Sequence, residues 1–313
     1  MSAVAEKAVA SAIKAGATAA DVLMVTSRDL TASIRNGAPE SIEQAEASGI
    51  GLRVFVGHQV ATLSSSDMSD AAVAKMVETA IAIAKAAPAD PHVALADAAL
   101  LAKSLPELDL ADDKEPTMAE LQTLARECEA AGQSVKGITN SEGSDASWGT
   151  HQITLVTSHG VKAQYRSTYS GLSLSLIAGT GEDMQRDYAY SSRRFMHDLS
   201  TPEAIGRDAA ERTLRRMKPR KIDTAHMPIV FEPRVGKQIL SALSGAISGA
   251  AIARGTSFLK DAMGKQIFSE GITITDDSLM KRGISSRPCD AEGVAVKRMD
   301  MVSKGMLSSW FLD

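Results

Sequence analysis

Along residues 3–15 the apolar side chains Val4, Ala8, Ala12 and Ala15 recur at near-helical spacing, and Gly16 stands where a helix would end. The pattern then switches to alternation. Residues 21–28, 31–35, 40–47, 51–56 and 59–64 read as short strands, with turn signals at Asn36-Gly37 and Gly57-His58. Connections this short predict antiparallel pairing, because a parallel partner needs a crossover of a dozen residues or more. Helical spacing returns at Val73, Val77, Ile81 and Ala84, after the Ser64-Ser65-Ser66-Asp67 cluster and before Pro88.

Residues 88–116, studded with Pro and Asp, read as a connection holding one strand at most. Thr117 and Glu120 form a capping box for a third helix ending near Gly132. Residues 134–196 are again β-like, with a hairpin of 152–157 and 161–165 about Ser158-His159-Gly160. Thr201-Pro202-Glu203 opens a fourth helix, Thr at the N-cap and Pro at the first turn. Beyond it, 227–231 is predicted as a strand, 233–254 as a helix, and 266–275 and 292–312 as β-rich. The fold class is α+β: an N-terminal antiparallel sheet with flanking helices over 1–220, then a β-rich domain over 225–313.

Composition narrows the class. The 313 residues are 44% hydrophobic and 23% charged, which excludes wholesale disorder. Only two Trp, four Tyr and six Phe are present, so 14 Met and the aliphatics must fill the core. A net charge of −4 argues against broad nucleic-acid binding. The N-terminus lacks a basic stretch followed by an apolar run, and the longest apolar stretch, 239–253, is too short to span ~30 Å of hydrocarbon. The expectation is a soluble, cytoplasmic protein with no membrane partner.

Candidate chemistry is sparse. Cys128, between Glu127 and Glu129, reads as an inert thiol, and with Cys289 it makes no metal-type spacing. The six histidines form no HxxH or HExxH pattern; His151 and His159 lie roughly 26 Å apart on an extended chain. Gly179-Thr180-Gly181 lacks the third glycine and the βαβ setting of a dinucleotide loop and reads as a turn. The basic run from Arg212 to Lys221 fits a helix C-terminus whose cations complement the macrodipole. Ser241, Gly245 and Gly249 recur every four residues, the mark of a helix packed closely in a core. The next four residues, Arg254, Gly255, Thr256 and Ser257, offer a cation and hydroxyls to a peptide carboxylate or carbonyl.

Several blocks, taken in order, resemble the TldD/PmbA family, once described as modulators of DNA gyrase. They are Ala20-Asp21-Val22, the run from Ile34 to Glu40, the run from Gly51 to Gly57 with Ser64 to Asp67, and Gln185 to Tyr188. Gly249 to Leu259, Gly264 to Phe268, Gly271 to Asp277 and Arg282 to Pro288 complete the set. One departure is Asp290-Ala291-Glu292-Gly293, where the family has Asp-Gly-Glu-Gly.

The resemblance implies a cytoplasmic peptidase assembly of two related subunits. The TldD-type subunit carries HExxxH, with histidines on a metal and glutamate as general base. Counted back from Arg254, those positions are Leu240, Ser241 and Gly245 here. None of the three can hold a metal ion or act as an effective base. The resemblance therefore implies a PmbA/TldE-type subunit with no catalytic residue or metal of its own. Zinc or a similar divalent ion is expected only in a TldD-type partner, joined as a heterodimer, or a homodimer in its place, acting on unfolded peptide. It also implies a barrel-like C-terminal domain, of which 225–313 would be an incomplete part. Two alternatives are a non-enzymatic protein-binding regulator of the gyrase-modulator type, and a homo-oligomeric peptidase using Ser257 or the Asp276-Asp277 pair.

Overall fold

The computed structural model describes residues 1–312, which form two compact units. The first comprises Met1–Pro219 together with Leu279–Val296, the second Arg220–Ser278 with the chain from Lys297 onward.

The first unit is built on a curled, wholly antiparallel sheet of six strands, ordered β3-β2-β1-β4-β5-β6. They are β1 Ala19–Arg35, β2 Ala38–Val56, β3 Gln59–Ser65, β4 Ile138–Thr157, β5 Lys162–Ala178 and β6 Gln185–Arg193. The stretches read as separate strands at 21–28 and 31–35, and at 40–47 and 51–56, are continuous. Asp29 and Gly49 do not break them, because each sits in an uninterrupted ladder, Asp29 against both Ala45 and Gly149. The β1–β2 turn has Asn36 at φ 52° and Gly37 at φ 75°, the left-handed pair that a two-residue hairpin requires.

All four helices of this unit cover one face. α1 Ser2–Lys14 and α2 Asp70–Ala86 bury Val22, Met24, Leu52 and Val54 at one end. α3 Met118–Gln133 and α4 Pro202–Arg215 bury Leu30, Ile34, Trp148 and Leu174 at the other. Both buried sets on β1 have even numbers, as a period of two demands. Thr117 and Glu120 make the full capping box, and Thr201 caps α4 with Pro202 in the first turn. Gly179 and Gly181 lie in a turn, both with positive φ.

The odd-numbered face of the sheet carries no helix. Residues 88–116 are a connection, as expected, and contain one 3₁₀ turn, Ala98–Leu100, and a single bridge between Leu101 and Val294. Beside them runs a strap, Leu279–Val296. It is held by Arg282, which pairs with Asp109 at 2.6 Å and Asp198 at 3.0 Å and stacks on the Phe195 ring at 3.9 Å. At its other end Arg53 bridges Asp21 (2.5 Å) and Glu292 (2.6 Å).

The second unit holds α5 Pro233–Ala246, α6 Gly249–Ala253 and a small antiparallel sheet of β7 Ile274–Asp276, β8 Met299–Ser303 and β9 Met306–Leu307. Its core is Leu243, Ile247, Met301, Val302 and Leu307. Three expectations fail here. The strand at 227–231 is absent: it pairs with no described strand, and Val230 is 94% exposed. The regions 266–275 and 292–312 hold only the three short strands.

The single helix at 233–254 is two, split at Ile247-Ser248. There Phe311 donates its N–H to the Ile247 carbonyl (2.9 Å) and accepts from Gly249 N–H (2.6 Å), taking backbone groups a continuous helix needs.

Candidate functional site

The residues singled out by sequence lie together in the second unit. On α5, Leu240 is half exposed and Ser241 is exposed, its hydroxyl donating to the Lys237 carbonyl at 3.1 Å. A Cβ built on Gly245 meets nothing within 4 Å. The expected close packing of this stripe is therefore absent at 241 and 245. Only Gly249 is crowded, its virtual Cβ 3.0 Å from the Phe311 carbonyl. The small residue there admits the crossing chain, while the two before it face outward.

After α6 the chain turns at Gly255 (φ +68°). Arg254 and Thr256 are exposed; the Thr256 hydroxyl donates to the Ala251 carbonyl at 3.3 Å. Ser257 is buried. Its hydroxyl donates to the Ala246 carbonyl (2.5 Å) and accepts from Leu259 N–H (3.0 Å), so it ties the loop to α5. What the loop presents outward is the Arg254 guanidinium and the Gly255-Thr256 backbone.

The donor set on α5 does not fit a metal. Leucine and glycine offer no side-chain ligand atom, and the Ser241 hydroxyl already donates within the helix. Among the described residues, no three His, Cys, Asp or Glu side chains converge as a metal set would. Cys128 is buried, and burial pushes its thiol up to about 11; burial likewise raises Cys289. The cations ending α4 are paired, Arg212 with Asp208 (2.8 Å), Arg215 with Glu211 (3.4 Å) and Arg216 with Asp187 (3.6 Å).

A second cluster escaped the sequence reading. On the helix-free face, strand register places Asp29, Gly149 and Tyr169 in one row, with His151 in the next. The Tyr169 hydroxyl donates to Asp29 Oδ1 at 2.9 Å, and His151 Nε2 lies 3.8 Å from the same oxygen. Burial, with the Asp29 carboxylate accepting a hydrogen bond from it, pushes the Tyr169 hydroxyl up to about 12, so it stays a donor at any physiological pH. Gly149 makes the arrangement possible: a Cβ there would fall 2.3 Å from the Tyr169 ring and 2.4 Å from the carboxylate. These residues are 140 positions apart at the extremes, and only the register brings them together.

Comparison with known proteins decides the family. The chain matches the PmbA/TldA metallopeptidase domain 1 over residues 20–84, the central domain over 111–217 and the C-terminal domain over 224–313. It is 33% identical over 308 residues to a metalloprotease PmbA homolog of Haemophilus influenzae, covering 97% of this chain and 68% of that one. The chain belongs to the PmbA/TldD family.

Metalloprotease PmbA of Escherichia coli O157:H7 is 38% identical over 296 residues, 94% of this chain and 65% of the relative. This PmbA/TldD chain thus spans about two thirds of the length of the curated relatives it matches. Among solved structures, a protein from Bacteroides thetaiotaomicron described as a modulator of DNA gyrase superposes with a TM-score of 0.93 at 26% identity. That match covers 99% of this chain and 71% of the other. TldE from Thermococcus kodakarensis shares the fold, with a TM-score of 0.75 at 18% identity over 99% of this chain and 70% of that one. Among the described residues no helix is long and apolar enough to cross a membrane.

Proposed function

We propose that this chain is a non-catalytic, PmbA/TldE-type subunit of a metal-dependent peptidase pair, working in proteolysis and peptide maturation in the cytoplasm. In this reading it binds extended, unfolded peptide and a TldD-type partner cleaves it, the divalent ion residing in that partner. The carrying observation is the outward row on α5. Where the resemblance sets two metal ligands and a base, Leu240, Ser241 and Gly245 offer none. Peptide has two places to engage: the exposed Arg254-Gly255-Thr256 turn, and the sheet edges β3 and β6, where an extended chain can add as a strand.

The test is proteolysis of an unstructured peptide by this chain, by a TldD-type subunit, and by both. Activity is expected only when both are present and is abolished by a chelator. Chelator-sensitive activity of this chain alone, or stoichiometric zinc in it when purified alone, overturns the reading. Within the pair, Arg254→Ala is expected to raise KM with little change in kcat, as removal of a uniform binding contact does.

A further inference from the structure

The strap and the helix-free face of the sheet enclose a cavity of about 190 Å³. Its floor is apolar: Leu23 and Val25 from β1, Ile153 and Leu155 from β4. An apolar cavity of ~150 Å³ accepts a benzene-sized group, so this one has room for a leucine or phenylalanine side chain. Three polar groups line the rest: the Tyr165 side chain from β5, and Arg287 and Asp290 from the strap.

The cation there is not paired. Arg287 is exposed and has no carboxylate partner among the described residues. Close by, Arg194 is half buried, and its guanidinium is spent on the backbone carbonyls of Thr168, Gly283, Ile284 and Ser286, with no carboxylate to neutralise it. Burial raises the Tyr165 hydroxyl despite both cations, so it stays a donor, and it has no hydrogen-bond partner among the described residues. The one carboxylate in the lining, Asp290, is engaged in its own turn, accepting from Glu292 N–H (2.9 Å) and Val294 N–H (2.8 Å). Within the lining, Arg287 is therefore a guanidinium without an ion-pair partner, and the half-buried Arg194 lies outside the lining with its donors spent on carbonyls. Among the described residues lining the cavity, the strong side-chain donors without a hydrogen-bond partner are Arg287 and Tyr165.

We propose that this cavity is a binding site for an apolar carboxylate, and that its occupant is the C-terminal residue of a peptide. An apolar side chain fills the floor, while the terminal carboxylate accepts from Arg287 and the Tyr165 hydroxyl. Choosing a peptide over a free acid rests on the peptide-binding role proposed above; the preference for a carboxylate rests on the unpaired Arg287 guanidinium and Tyr165 hydroxyl at the cavity. Beyond Tyr165 the same face continues past Ser167 and His151 to Asp29 and Tyr169, a polar track along which the preceding residues can lie.

The test uses the full chain alone, with no partner and no hydrolysis, so it stands apart from the proteolysis assay. A fluorescein-labelled heptapeptide ending in leucine is titrated by anisotropy, beside its C-terminal amide and a version ending in aspartate. The free acid is expected to bind about tenfold or more tightly than either, as one charge-assisted contact allows. Arg287→Gln, at an exposed site, is expected to remove that preference and leave the amide unchanged. Val25→Phe, which fills the floor, is expected to abolish binding of all three, with the circular dichroism spectrum unaltered. Equal affinity for acid and amide, or equal weakening of both by Arg287→Gln, overturns the site. Binding of 4-methylpentanoate with none of the leucine peptide overturns the peptide as occupant. If the acid preference holds but the paired assay shows this chain cleaving alone, the subunit reading falls and the site stands.

Discussion

At the scale of single residues, glycines in one chain answer to different constraints. Where α3 meets α4, a Cβ on Gly206 would lie 2.6 Å from the Cys128 carbonyl oxygen and 2.8 Å from the Ala131 methyl. Backbone cannot yield as a flexible side chain does, so Gly206→Ala is expected to cost about 1–3 kcal/mol in urea denaturation. Gly245, on α5, has open space around it. There Gly245→Ala is expected to stabilise the second unit by about 0.5–1 kcal/mol, through the lower entropy of the unfolded chain. The sign differs because one Cα touches a neighbouring helix and the other touches none.

Glu120 shows a charge effect of the same local kind. The Thr117 backbone N–H, then Lys114 and the Thr117 hydroxyl, hold its carboxyl down at about 2. A folded-state value below the unfolded one means that its contribution is present above pH ~4.5 and is lost as pH falls towards 2. The stability difference between the wild type and Glu120→Gln is expected to shrink over that window, read from denaturation midpoints at each pH. The thiols behave oppositely: burial raises both, so neither Cys128 nor Cys289 is expected to react with a thiol reagent at pH 7.5 until the chain is unfolded.

At the scale of elements, local signals were legible wherever a helix or turn is decided by neighbours in sequence. The capping box at Thr117, the Thr201-Pro202 start and the Asn36-Gly37 hairpin all formed as their residues require. Strand lengths were not legible, because Asp29 and Gly49 look like breaks until neighbouring strands, two for Asp29 and β1 alone for Gly49, supply their ladder partners. The same physics in reverse explains 227–231. Its β-branched residues suit a strand, but a strand exists only against a partner, and none is described there. Ile229 and Val230 consequently stand 73% and 94% exposed. An unpaired apolar segment favours association with other chains. Val230→Lys is expected to lower the concentration-dependent light scattering of the purified chain, with no loss of helical ellipticity.

At the scale of the whole molecule, the chain leaves the first unit at Pro219 and returns as the strap, and Arg53, Arg194 and Arg282 fasten that return. Arg53 matters most, since its partner Asp21 is buried, and burial raises the Asp21 carboxyl despite the guanidinium beside it. Arg53→Ala would strand that carboxylate and release Glu292 together. The expected cost is about 2–3 kcal/mol in urea denaturation, with faster proteolytic cleavage within 279–296; Asp21→Asn added to it should recover part of the loss.

The sequence by itself determined the helix starts, the hairpin turns, the antiparallel sense of the sheet and the missing donors on α5. Each is written in residue type and spacing within a few positions. The family, too, was readable from its ordered blocks. Only the tertiary structure decided that Arg282 meets Asp109 and Asp198, that Tyr169 meets Asp29 over Gly149, and that a strap roofs an apolar floor beside an unneutralised arginine. Those contacts depend on register and on the return of a distant segment. Burial and uncompensated charge are properties of three-dimensional neighbours, and no window along the chain contains them.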